Sequence, residues 1–159
     1  MFAYQLRQAT DADFDFLYWL HAATMRDHIA RVWGWDDAWQ ERFFAAHFDP
    51  THSRIVVVDG EDVGVIAVEW SATDAFLANI EILPEYQGQG LGAALVNGII
   101  TQAEARNLPV RLHVLKMNPA RRLYERLGFV VTGETETHFL MVKSPIALAA
   151  FPDPCDKCA

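Results

Sequence analysis

The chain has 159 residues, 52% hydrophobic and 12% aromatic, which suits one packed domain and argues against disorder. Its formal net charge of −8 argues against nucleic acid as a standing partner, because neutralising phosphates takes clustered Lys and Arg. The start, Met1-Phe2-Ala3-Tyr4-Gln5-Leu6-Arg7, is no signal peptide, and no apolar run reaches the ~20 residues of a membrane span, so a cytoplasmic location and no membrane partner are expected.

Phe2 to Arg7 alternates as a first strand. Thr10 then caps a helix, with Asp13 three positions on in capping-box style. Phe14, Leu17, Tyr18, His21 and Met25 recur at helical spacing and define its expected buried face. Trp33-Gly34-Trp35 breaks that helix, and Asp36 caps a second one reaching His47, with Trp39, Phe43 and Phe44 expected inward. Ile55 to Val58 and Val63 to Glu69 flank Asp59-Gly60-Glu61-Asp62 as a hairpin, and Phe76 to Ile82 supplies a fourth strand.

A glycine loop follows and opens a helix reaching Arg106, with Leu91, Ala94, Leu95, Gly98, Ile99 and Gln102 on its sheet-facing stripe. Val110 to Leu115 is a fifth strand. Asn118 as N-cap, Pro119 at the first helical position and Gly128 beyond the end outline a short helix. Phe129 to Thr132 and Thr137 to Val142 close the chain as a hairpin. Residues 1–143 form the expected single domain and 144–159 a C-terminal tail. That tail carries Cys155 and Cys158, two thiols with no nearby histidine, too few for a structural zinc site, so no metal is expected.

The loop itself, Gln87-Gly88-Gln89-Gly90-Leu91-Gly92, places glycines at a strand-to-helix turn. Glycine lets the backbone approach a ligand closely, and exposed N–H groups at a helix N-terminus favour anions. The loop is therefore a phosphate cradle. Two familiar glycine motifs fail on it. A dinucleotide fingerprint would follow its strand at once and carry an acidic residue about 20 positions on. Here Pro84 to Gln87 intervene, and the next strand carries Arg111, His113 and then Lys116. A P-loop would need Gly-Lys-Ser/Thr, which is missing.

What does match is Q/R-x-x-G-x-G/A, and further on Asn118, Tyr124 and Gly128-Phe129 fall at the spacing of a second motif. Together these resemble the GNAT superfamily of acetyl-CoA-dependent N-acetyltransferases, over Ile80 to Phe129. The resemblance implies an α/β (α+β) fold: a mixed, mostly antiparallel twisted sheet of about seven strands, with four helices. Its fourth and fifth strands splay around the cofactor. It also implies direct acetyl transfer from acetyl-CoA to a primary amine. The acceptor is expected to be a small molecule, with a protein N-terminus or lysine as the alternative and a homodimer allowed. A non-catalytic acyl-CoA-binding sensor is the rival from another class, and an intact Tyr124 speaks against it.

By the same resemblance, Ile82 and Leu83 contact the pantetheine arm through their backbones. Gln87, Gly88, Gln89, Gly90, Leu91, Gly92 and Ala93 hold the pyrophosphate, and Asn118 hydrogen-bonds the arm. Tyr124 would protonate the departing thiolate. His113 is the candidate base, with Glu81 and Glu69 behind it, because an ammonium must lose a proton before attack. Trp33 and Trp35 are expected at the acceptor pocket, in the segment that walls it in this fold.

Overall fold

The computed structural model describes residues 3–146, and the cysteines and most of the expected tail lie outside them. The first strand, β1, is Gln5–Gln8. The Thr10 N–H donates to the Asp13 carboxylate at 2.9 Å, the expected capping contact, and a short 3-10 turn leads into α1, Phe14–Val32. Arg7 locks that entry by pairing with Asp13 at 2.9 Å and with Asp62 at 2.7 Å. Then come α2 (Asp37–His47), β2 (Ser53–Val58), β3 (Glu61–Trp70) and β4 (Ala75–Ile82). The chain continues through α3 (Leu91–Ala105), β5 (Val110–Leu115), α4 (Ala120–Arg126), β6 (Val130–Glu134) and β7 (His138–Lys143).

Among the described residues the seven strands form one sheet in the order β1-β2-β3-β4-β5-β7-β6. The β4–β5 contact is parallel and the other pairs are antiparallel. The parallel pairing lasts only from Ala75–Val110 to Leu77–Leu112. Beyond it the strands part, as the resemblance implies. A β-bulge sits at the same place: Val68 pairs with Leu77 but Ala67 pairs with Asn79, so Ala78 is extra. An extra residue kinks its strand and shifts the inside–outside alternation by one. Ala75 and Leu77 point into the larger core under α3, and after the bulge Ile80 and Ile82 do so. Asn79 and Glu81 are thereby turned toward α1.

A smaller core on the other face gathers Leu17, Leu20, Ile55 and Val65. Here the sequence expectation needs correction. Leu17 and Leu20 are buried, whereas Phe14, Tyr18, His21 and Met25 are only half-buried. Trp39 and Phe43 are not inward: they are 50% and 48% exposed, and Phe44 is half-buried. The cause is that α2 overhangs the sheet and packs through Phe44 and Gln40, leaving its other aromatic side open. On α3, Leu91, Leu95 and Ile99 are buried as expected, but Val96, Ile100 and Ala103 complete the face and Gln102 is exposed. The short helix α4 starts after Pro119, one residue later than expected. Among the described residues no helix is long and apolar enough to cross a membrane.

Gly64 on β3 sets how closely β4 can approach. A Cβ built there would sit 2.6 Å from the Glu81 carbonyl oxygen, a backbone atom with no rotamer to escape through. Gly64→Ala should therefore cost about 1–3 kcal/mol and lower the melting temperature. Gly98→Ala is the contrast. It sits inside α3, its Cβ would meet only the Tyr4 hydroxyl at 3.5 Å, and Ala outranks Gly in helices by about 1 kcal/mol. Thermal melts should show a fall for the first variant and a neutral or upward shift for the second; equal falls would contradict the strand-approach argument.

Candidate active site

The turn from β4 into α3 is built around two left-handed residues, Gly88 at φ 70° and Gly90 at φ 92°. A side chain at either would be strained, yet a built Cβ meets nothing within 4 Å, so the space above the turn is open. The first helical bond runs from the Ala94 N–H to the Gly90 carbonyl at 3.0 Å. The N–H groups of the preceding first turn thus lack partners within the helix and face an anion with the positive end of its dipole. Two glutamines staple the turn from behind. Gln87 Nε2 donates to the Ile82 carbonyl at 2.7 Å, and Gln89 Nε2 donates to the Glu85 carbonyl at 2.7 Å.

From this cradle a cleft of about 570 Å³ runs between the end of β4, α1 and α4. Ile82, Gln87, Gly88, Gly90, Gly92, Ala93, Asn118 and Tyr124 all line it, eight of the expected cofactor and catalytic positions in one place. Asn118 Oδ1 accepts from the Ala120 N–H at 2.9 Å, so it caps α4 while facing the cleft. Tyr124 is 6% exposed, edge-on to Phe129 at 5.8 Å, and among the described residues no group hydrogen-bonds its hydroxyl. Burial pushes the phenol up to about 12, so it stays protonated and able to donate.

Five expected positions are not brought to the cleft. Leu91 is fully buried in the core, and Gln89 faces the turn it staples. Leu83 is engaged on both sides: its N–H donates to Val63 at 2.9 Å and its carbonyl accepts from Tyr86 at 2.9 Å. His113 is exposed, edge-on to Phe76 at 5.2 Å, and lines neither this cleft nor the cavity described next. Past Leu112 β5 has left β4 and follows β7, where His113 pairs with Leu140. Glu69 is exposed, opposite Phe76, and lines neither space.

Glu81, expected behind His113 as a base, is held among polar side chains. It is 5% exposed and accepts from Asn79 Nδ2 at 2.7 Å and Thr24 Oγ1 at 2.8 Å. His21 Nδ1 lies 3.3 Å from its Oε1. Of the described residues, Glu81 alone lines both the cleft and a second cavity of about 880 Å³. That second cavity is walled by Trp33, Trp35, Trp39, Phe43, Phe44 and Phe48. The expected pocket residues Trp33 and Trp35 are therefore there, joined by the three rings expected inward, Trp39, Phe43 and Phe44. His21 stands between the spaces, its ring 6.1 Å from Trp35 and 5.6 Å from Phe44.

Sequence reasoning missed Thr24 and His28 on the cleft wall and His21 beside Glu81. The spacing 21, 24, 28 marks one helical face, and that periodicity was the available signal. Among the described residues no cluster of three His, Cys, Asp or Glu side chains could hold a metal.

A family model described as the acetyltransferase (GNAT) family matches residues 14–129, from the start of α1 through the cradle to the end of α4. The chain belongs to the GNAT family of acetyltransferases. Among curated GNAT relatives it is 34% identical over 94 residues to the ribosomal protein bS18-alanine N-acetyltransferase of Escherichia coli K12, covering 57% of this chain and 64% of that one. It is 35% identical over 75 residues to the Haemophilus influenzae enzyme of the same name, covering 46% and 51%. The chain thus spans between half and two thirds of the length of these relatives. Among solved structures, the PaiA N-acetyltransferase of Thermoplasma acidophilum in complex with coenzyme A superposes with TM-score 0.74 at 17% identity, over 89% of this chain and 99% of that one. The Escherichia coli ribosomal-protein-S18-alanine N-acetyltransferase superposes with TM-score 0.67 at 22% identity, over 95% and 100%. At such identities these two likenesses concern the GNAT fold.

The buried phenol makes a pH prediction with a definite sign. Between the usual tyrosine value near 10 and about 12, unfolded chains lose the Tyr124 proton while folded ones keep it. Stability should then fall as pH rises through that window, because the unfolded state binds fewer protons. Denaturant midpoints measured from pH 9 to pH 12 should drop more steeply for the parent chain than for Tyr124→Phe. Parallel curves would mean that the phenol is solvated.

Proposed function

We propose that the protein transfers the acetyl group of acetyl-CoA to the nitrogen of a primary amine, with the transfer at the junction marked by Glu81. The observation that carries this reading is the meeting of a backbone anion cradle, a buried phenol and a carboxylate-held histidine around that junction. Acetyl-CoA supplies an activated thioester and an anionic pyrophosphate. The residues fit it: the α3 N-terminus and the open turn at Gly88 and Gly90 suit the pyrophosphate, and the cleft between the end of β4 and α4 suits a narrow arm.

The proton acceptor in this reading is His21, not His113. With Nδ1 donating to Glu81, the other ring nitrogen of a neutral imidazole is the acceptor. No described group hydrogen-bonds that nitrogen, and His21 lines the amine-side cavity. Glu81 fixes the tautomer and steadies the charge that forms, as an orienting carboxylate does for a catalytic histidine. Thr24 and Asn79 hold Glu81 in turn. Tyr124 donates a hydrogen bond to charge developing on sulfur. A thiol ordinarily titrates near ~8.5, well below the raised phenol, so the hydroxyl stabilises the thiolate mainly as a donor.

For the acceptor we propose a small amine in preference to a protein terminus. The names of the curated relatives point to a ribosomal protein alanine, and the enclosed aromatic cavity supports the small molecule.

Binding and chemistry are separable by experiment. Coenzyme A at 100 times its Kd should stabilise the protein by about 2.7 kcal/mol, visible as a melt shift that NAD and ATP do not match. Ala93→Glu should abolish that shift without harming the fold, because it lines the cleft in the first turn of α3, where a carboxylate suits the helix but fills the anion site.

Tyr124→Phe should keep the shift and lower turnover by roughly 10²-fold. His21→Gln should slow turnover most near neutral pH and least at high pH, where free amine is plentiful. A coenzyme A shift no larger than that of NAD would overturn the cofactor assignment. A pH-independent loss in His21→Gln would overturn the base.

A further inference from the structure

The acceptor cavity carries chemical information beyond its size. Trp33, Trp39 and Phe43 keep 59%, 50% and 48% of their surface exposed, although they belong to a chain with two apolar cores to join. They turn that surface, with Trp35 and Phe44, onto a concave wall. A second observation is independent of the first. Gln40 is 6% exposed and lines the same cavity, yet among the described residues its side-chain amide has no hydrogen-bond partner. Its amide atoms are not among the fully buried unpaired ones, so they open onto the cavity and are free to hydrogen-bond a ligand group there.

The charges narrow the choice. No Lys or Arg lines the cavity, so a carboxylate on the acceptor would be unmatched, which disfavours amino acids. Asp36 and Asp49 are committed as caps, accepting from the Trp39 N–H at 2.8 Å and the Thr51 N–H at 2.9 Å. A diamine could set its second ammonium against the rings and these carboxylates, but it brings no ring of its own to bury against the aromatic wall. A peptide brings a donor and an acceptor for every residue, and the ring wall offers Gln40 as its buried neutral partner. One ammonium position remains, at His21 and Glu81. The His21 ring itself lies 5.6 Å from the Phe44 ring and 6.1 Å from the Trp35 ring, centroid to centroid, so an amine held there sits next to the aromatic wall.

We propose that the cavity selects a primary amine joined by a short spacer to an aromatic ring bearing one neutral hydrogen-bonding group, which meets Gln40. This rests on the acetyl-transfer reading above and names its acceptor class. The expected contribution of the ring is its burial, and that of the polar group is the satisfaction of an otherwise unpaired amide.

The test uses the full chain with acetyl-CoA and five probes: tyramine, 2-phenylethylamine, n-butylamine, 1,4-diaminobutane and a peptide beginning with alanine. Tyramine should have the highest kcat/KM, with n-butylamine lower by roughly tenfold or more. Gln40→Leu should erase the advantage of tyramine over 2-phenylethylamine. Trp35→Ala should raise KM for tyramine more than for n-butylamine while leaving the coenzyme A melt shift in place. Binding without turnover is read by tyramine-induced change in tryptophan emission, because three Trp side chains line the cavity.

Butylamine, the diamine or the peptide matching tyramine would overturn the proposal, as would an unchanged tyramine preference in Gln40→Leu. A missing coenzyme A shift would instead be the failure of the underlying acetyl-transfer reading.

Discussion

One extra residue in β4 governs the functional half of this molecule. Were the alternation unbroken from Ala75, Glu81 would share a face with Leu77 and point into the α3 core, where a carboxylate has no place. The bulge at Ala78 reverses the parity and delivers Glu81 to the α1 side, while Ile80 and Ile82 take over the core positions. A bulge also increases local twist. The parallel pairing with β5 ends at Leu77–Leu112, where the bulge lies, so one irregularity aims the carboxylate and coincides with the opening of the cleft beside it. Gly64, opposite on β3, lets the bulged strand stay close enough to hold its hydrogen bonds.

The helices then divide the labour. Packing under α3 and α4 is dense and apolar, and it buries Tyr124 against Phe129. Dispersion and burial fix that phenol, and the same dry surroundings raise its pKa. On the other face α1 and α2 bury less. Their aromatic side chains touch one another, as Phe14 does Phe44 and Phe48 at 5.5 and 5.1 Å, and they enclose space instead of filling it. The contrast makes physical sense: one side must hold a scaffold in place, and the other leaves room.

Much of this was legible in the sequence, and the failures share a cause. The order of elements, the cradle and the Asn118–Tyr124 helix follow from local rules: glycine at positive φ, an Asx cap, apolar spacing. Trp39 and Phe43 were misassigned because periodicity tells which residues share a face and not whether that face meets a core or a void. Strict alternation does not set Glu81 apart from His113, because it carries no bulge. The extra residue at Ala78 is a property of the pairing with β3 and leaves no glycine or proline to announce it. His21 was assigned to a buried face, and its meeting with Glu81, 60 residues on, is tertiary.

The arrangement of the two spaces also bears on the order of events. The cleft and the aromatic cavity share only Glu81 among the residues described, so they are two spaces that meet at one carboxylate. A donor in one and an acceptor in the other would not obstruct each other's arrival or escape. Among the described residues the side chains that hydrogen-bond Glu81 at this shared point are His21, Thr24 and Asn79, with no cysteine or serine.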